Sequence, residues 1–200
     1  IFFSGRGELN VDGGLQMTAP RIAGAALVKN DYYFAPDFAI NAQGGIDIRG
    51  GGGTAGTSIT PAARLKMTAD SITLQNKAHI DAFSGLVSLV AANDLIIGGN
   101  SRITAQGAGL VREVFGYKYL DVHSGGIIEL KSEQGKVEVD SGSVLDVSNS
   151  FNLADADIHK GDRDVLAESA LLDAGLLSIS SPTEDAVIAG DLKGSANSAQ

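Results

Sequence analysis

Cysteine is absent from this 200-residue chain, and so is tryptophan. Without cysteine there is no disulfide framework, no thiolate chemistry and no zinc–cysteine site. The absence does not fix the compartment, because an extracellular protein with a sufficient core can dispense with disulfides. Positive charge is also short: 15 Lys and Arg face 24 Asp and Glu, a formal net charge of −9. The summed field repels polyanions and favours solubility, so nucleic acid and anionic membrane are poor partners. No apolar run approaches the ~18 to 20 residues of a membrane span, so no stable membrane insertion is expected. The opening "IFFSGRGELNVDGG" lacks the basic, apolar and cleavage regions of a signal peptide. Together with a start that is not Met and the closing "KGSANSAQ", this suggests an internal piece of something longer, with its targeting segments elsewhere.

Glycine, by contrast, is abundant. There are 26 residues where a usage of ~7% predicts about 14. With only 4 Pro and no collagen-like period, so much glycine points to many tight turns. A hydrophobic share of 44% with 20% charged residues is that of a globular chain with a sizeable core.

The turns separate short bursts that recur. In "RLKMTADSITLQNKAHIDAF" the apolar positions are Leu65, Met67 and Ala69, then Ile72 and Leu74, then Ile80 and Ala82. They return as Val87, Leu89 and Ala91, Leu95 and Ile97, then Ile103 and Ala105. The shift is 22 residues for the first burst and 23 for the other two. A third copy runs Ile128, Leu130 and Ser132, Val137 and Val139, Leu145 and Val147. A partial fourth runs Leu177, Ile179 and Ser181, Val187 and Ala189, then Leu192. "LQMTAPRI" and "FAINAQGGIDI" upstream read as looser copies.

Alternation over three to five residues puts one set of side chains on one face of a strand, and each burst is too short for a helix. Three such strands per repeat, separated by Gly, Asn, Asp and Ser, fit one coil of a parallel β-helix. One coil buries too little apolar surface to offset the ordering of its backbone, so coils must stack. Small residues at Ala69, Ala91, Ser132 and Ser181 are expected near the corners. Seven to eight coils would give a rod of roughly 35–40 Å. A β-sandwich also has many short strands but requires no fixed spacing. The expectation is an all-β parallel β-helix, or β-solenoid, over 1–200.

The spacing breaks near 27–37, 106–126 and 148–175, which are expected to be insertions. Within 148–175, "DRDVLAESALLDAG" allows one short helix, capped by Asp164 and ended by Gly175. The other two hold Tyr32, Tyr33, Phe34, Phe115, Tyr117 and Tyr119, six of the eleven aromatics. Loops on a rigid scaffold commonly carry binding. Tyr32, Tyr33, Phe115, Tyr117 and Tyr119 are therefore the candidate surface-contact residues, with packing of the loops onto the scaffold's flank as the other reading.

Other motifs carry less. Gly51, Gly53 and Gly56 make G-x-G-x-x-G, but "TSITPAA" follows, where a dinucleotide fingerprint needs a helix N-terminus. Asp155, Asp157, His159, Asp162 and Asp164 could offer oxygen to a hard cation. However, Lys160 stands where an EF-hand needs Gly, and Leu166 where it needs Glu. Asp81, Thr104 and Asp146 fall in one outward column, with the carboxylates two strand spacings apart, a geometry that glycan hydrolysis by inversion could use. His79, His123 and His159 are expected at the surface, and none has a Ser or Cys partner at recognisable spacing. No catalytic residue, metal site or cofactor is expected.

"GGIIELKSEQGKVEVDSGSVLDVSNS" and "DAGLLSISSPTEDAVIAGDLKGSA", with "LQMTAPRIAG" and "GLVSLVAANDLIIGGNSRITAQG", resemble the filamentous-haemagglutinin-like exoproteins of Gram-negative bacteria. That resemblance implies a right-handed parallel β-helix within a very large passenger, exported by two-partner secretion through an outer-membrane transporter. It implies a secreted or cell-surface adhesin, associated with the outer membrane. Its partners would be host or neighbouring cell surfaces, including their glycans. The family's secretion-domain motifs are not present in these residues, and the aromatic insertions exceed its simplest coils. A glycan-processing enzyme, or a tailspike-like carbohydrate-binding module on the same fold, is the alternative.

Overall fold

The structure is a computed structural model that describes residues 1–29, 32–52, 60–114, 117–149 and 173–196; within 27–33 and 110–121 it describes the backbone. All regular secondary structure among these residues is β, and the strands enter three sheets in a repeating order. β1 (Phe2–Ser4) lies in sheet III, β2 (Arg6–Val11) in sheet I, β3 (Leu15–Ala19) in sheet II and β4 (Ile22–Ala25) again in sheet III. A hairpin of β5 (Leu27–Lys29) and β6 (Tyr32–Phe34) follows, and then β7 (Asp37–Ala42) joins sheet I and β8 (Ile46–Gly50) sheet II. Two full cycles through sheets I, II and III come next. The first is β9 (Arg64–Ala69), β10 (Ile72–Gln75) and β11 (His79–Asp81); the second is β12 (Leu86–Ala91), β13 (Leu95–Ile97) and β14 (Arg102–Thr104). Beyond a second hairpin, β15 (Ala108–Val114) and β16 (Tyr117–His123), run β17 (Ile127–Ser132), β18 (Val137–Val139) and β19 (Val144–Asp146). A last cycle holds β20 (Leu176–Ser180), β21 (Val187–Ile188) and β22 (Asp191–Lys193).

Each sheet therefore has six strands, all paired in parallel, whereas both hairpins are antiparallel. Among the described residues there are six strands per sheet where seven to eight coils were expected, and the two hairpins take up chain that a uniform repeat would have given to the sheets.

The repeat spacing sets the register. Leu65 pairs with Val87 and Val87 with Ile128; Leu74 pairs with Ile97 and Ile97 with Val139; Ile80 pairs with Ile103 and Ile103 with Leu145. These side chains are 0–1% exposed and join one apolar cluster fed by all three sheets. One register differs from expectation: Val139 pairs with Ile188, not Ala189, and Val187 faces Glu138. The corner after Ser181 keeps the length of the corner after Ser132, so Ile188 continues the inward column, and the shortening falls in the next turn. Upstream, Leu15 and Met17 pair with Ile46 and Ile48, which makes them second-sheet residues. The first-sheet strand of that rung is β2, in which Gly7 stands at an inward position and Phe38 fills the space.

The corners are built differently. Between sheets I and II, Ala69, Ala91 and Ser132 end their strands buried, as expected of small corner residues. Ser132 Oγ donates to the Asn93 carbonyl at 2.6 Å and accepts from the Gly135 amide at 3.0 Å. Between sheets II and III the turn needs positive φ, met at Asn76, Lys77, Gly99, Asn100 and Gly142. At Gly99 any Cβ would also lie 2.7 Å from the Asn76 nitrogen.

Candidate functional site

The corner from sheet III to sheet I is the one that varies. A short passage, Ala82–Phe83–Ser84–Gly85, joins β11 to β12. The β5–β6 hairpin leaves at the equivalent place after β4, the β15–β16 hairpin after β14, and residues 148–175 after β19. Residues 60–63 lie at the same corner before β9, and among the described residues β8 is followed by no strand of sheet III. All three expected insertions thus emerge along one edge of the stack.

Backbone hydrogen bonds explain how chain can be added there without disturbing the sheets. The Gly85 amide donates to the Ala82 carbonyl at 2.9 Å and closes the short passage. The same bond recurs from Gly126 to Ala105 at 2.6 Å and from Gly175 to Val147 at 2.7 Å, so the second and third excursions have closed necks despite their different lengths, whereas the first returns through Pro36, which has no amide hydrogen to donate. A second ladder fixes re-entry into sheet I. The amides of Asp37, Arg64, Leu86, Ile127 and Leu176 donate to the carbonyls of Gly5, Pro36, Ala63, Gly85 and Gly126 at 2.7–2.9 Å.

On the β15–β16 hairpin, Tyr119 stands opposite Arg112, Tyr117 opposite Val114, and Lys118 opposite Glu113. On β5–β6, Tyr32 stands opposite Lys29 and Tyr33 opposite Val28, while Phe34, opposite Leu27, is 52% exposed. The structure therefore carries four of the five candidate contact residues on two hairpins of one edge; Phe115 lies outside the described residues. So do Asp155, Asp157, His159, Asp162 and Asp164, together with most of the expected helix, of which Asp173–Gly175 is irregular. Gly53 and Gly56 also fall outside the described residues. Among the described residues no group of His, Asp and Glu could hold a metal ion, and no helix is long and apolar enough to cross a membrane.

Asp81, Thr104 and Asp146 do form one column, paired in register across β11, β14 and β19. Yet they are 4%, 1% and 1% exposed, which removes both carboxylates from any substrate. Asp146 accepts from Gln106 Nε2 at 2.8 Å, Ser148 Oγ at 2.6 Å, the Ser148 amide at 3.1 Å and Arg102 Nη2 at 3.3 Å. Asp81 pairs with Arg21 and, at 2.8 Å, with His79 Nε2. His79 and His123 are half-buried rather than at the surface: His79 opens β11 beside the turn from sheet II and reaches Asp81, and His123 ends β16 at the excursion corner. The partners of these carboxylates had no spacing signal: Arg21 and Asp81 lie far apart in sequence and meet only because β4 pairs with β11.

On the outer face of sheet II, Asp47 has a pKa below its ordinary value of 3.8. Burial opposes the charged form, but hydrogen bonds from Arg49 and Gln75, and the Arg49 charge, outweigh it. A lowered carboxylate pKa adds stability above the unfolded value, which is lost as pH falls through the folded one. Wild type should therefore melt slightly above Asp47→Asn at pH 7, by under about 1 kcal/mol for so exposed a pair. The gap should close between about pH 4 and pH 2, as thermal melts across that range would show.

Compared with family models, curated proteins and solved structures, the chain has no match.

Proposed function

We propose that this chain is a shaft segment of a large secreted or surface-displayed bacterial adhesin of the filamentous-haemagglutinin-like kind. Its three parallel sheets wind as a right-handed parallel β-helix, and its corner hairpins make contact with cell surfaces or their glycans. Such a passenger leaves the cell through an outer-membrane transporter and remains outside or on the surface. The observation that carries the reading is the division of labour in the fold. Two corners and sheets I and II keep a nearly uniform repeat, while the excursions share one edge, two of them behind closed necks. A rigid repeat that confines its variable, aromatic-bearing segments to one side is suited to display. A glycan-processing role gains nothing from this geometry, because Asp81 is held in a buried ion pair with Arg21 and Asp146 is buried under hydrogen bonds from Gln106 and Ser148.

The necks make a clean test available. Removing residues 107–124 leaves Ala105, Gln106, Gly125 and Gly126, a passage as long as Ala82–Gly85. The shortened protein should keep its β circular dichroism and its melting temperature within a few degrees, while binding of labelled protein to cells or to an array of glycans falls at least tenfold. Undiminished binding would remove the second hairpin from the contact surface. No binding by the intact chain to any cell or glycan would sink the adhesive reading.

A further inference from the structure

Sheet III skips a rung. Between β2 and β9 sheet I holds β7, and between β3 and β10 sheet II holds β8, but in sheet III β4 pairs directly with β11. The chain between β8 and β9 gives sheet III no strand among the described residues. Its last residues, Thr60, Pro61 and Ala63, are buried at the neighbouring corner, where Thr60 Oγ1 accepts from the Ala26 amide at 3.3 Å. The direct contact is short: Ile22 with Ile80 and Ala23 with Asp81, two residue pairs. By contrast β1 with β4, β11 with β14 and β14 with β19 each share three pairs, and sheets I and II run through the same level on five pairs and four.

Across this seam lies the one ion pair among the described residues that joins β11 to the β4 side. Arg21 directly precedes β4, Asp81 ends β11, and their side chains are 9% and 3% exposed. The Arg21 guanidinium also lies 5.8 Å from the centre of the Phe83 ring, just beyond β11. A buried pair of this kind has little intrinsic surplus but costs a great deal to break one-sidedly, since the remaining charge is left in the interior. That asymmetry suits a fastener.

We propose that the β4–β11 seam is a hinge built into the stack, latched by Arg21 and Asp81. When the latch opens, sheet III parts between Ile22 and Ile80 while sheets I and II stay paired, so the first rungs tilt away from the rest on one side. The motion follows from the strand count. Sheet III has one step where the other sheets have two, and its backbone bonding is weakest there.

Hydrogen exchange read by mass spectrometry on the intact chain tests this. In wild type, the amides of Ile22, Gly24 and Asp81, which face the seam because the Ala23 amide bonds to Ile1 on the other side of β4, should exchange at least tenfold faster than those of Ile103–Thr104 and Leu145–Asp146. In Asp81→Asn and in Arg21→Gln the seam amides should gain a further tenfold, while those of Lys66–Thr68 and Thr73–Gln75 keep the wild-type rate. The double variant should open no further than either single one, because both remove the same latch. Equal protection of seam and neighbouring strands in wild type would overturn the hinge, a reading that holds even if the variants fold poorly. Uniform acceleration through all three sheets in the variants would overturn the latch.

Discussion

Ile103→Asp should abolish the cooperative melt of the middle rungs and remove most native β circular dichroism at 25 °C. Ile103 is 0% exposed, and its strand neighbours in register are Ile80 and Leu145, also 0% exposed. The substitution forfeits about 2 kcal/mol or more of apolar burial. It also asks an ionised carboxylate to sit where those side chains offer it no donor, a penalty of several kcal/mol even after relaxation. Against a typical total of about 5–15 kcal/mol for a folded domain, that is enough to unfold the rungs on either side, since each rung's core is completed by its neighbours. Thr68→Asp is the matched control. Thr68 is exposed on the outer face of β9, so the same added charge should move stability by no more than about 0.5 kcal/mol. A variant at Ile103 with native dichroism and melting temperature would mean that the inward assignment of sheet III is wrong.

That assignment was legible in the sequence because the sheet strands from β9 to β19, the hairpin β15–β16 aside, repeat bulky apolar residues at every second position in nearly constant spacing. A one-residue slip in any of them would turn its whole apolar set outward. Where the alternation thins, legibility thins with it. β2 carries Gly7 and Leu9 where later rungs carry two large side chains, so its membership of sheet I had no clear signature. In the last rung, Val187 and Ile188 are adjacent and both exposed. Either could have been the inward residue, and only the corner length distinguishes them. The excursions were visible as breaks in spacing after Ala105 and Val147. That two of the breaks are antiparallel hairpins was not visible, because "GLVREV" and "YKYLDV" mix apolar and charged residues without a strict period of two. The outward column of Asp81, Thr104 and Asp146 was legible from the repeat. Its burial was not, because Arg21, Arg102, Gln106 and Ser148 reach it by side-chain geometry that no spacing encodes.

The largest effect expected from adding a small group is at the re-entry glycines. At Gly126 a Cβ would run into the backbone nitrogen, carbonyl carbon and oxygen of Gly85 on the rung below, and at Gly175 into the Gly126 carbonyl. The obstacle is main chain that is itself hydrogen-bonded, since Ile127 donates to the Gly85 carbonyl and Leu176 to that of Gly126. It cannot move aside without parting the ladder at the III to I corner. Gly126→Val should therefore cost more than the ~1 to 3 kcal/mol of ordinary overpacking, because rungs must separate as well as side chains shift. Gly52→Val, where a Cβ meets nothing within 4 Å, should leave the melting temperature within a few degrees of wild type. Chemical denaturation of the two variants side by side separates the explanations. If Gly126→Val is as stable as Gly52→Val, the corner is looser than its hydrogen bonds imply, and the closed neck could not hold the second hairpin in place. If it is destabilised by several kcal/mol, re-entry glycine is what allows the rungs of β17 and β20 to follow excursions of different length and still return to the same point of sheet I.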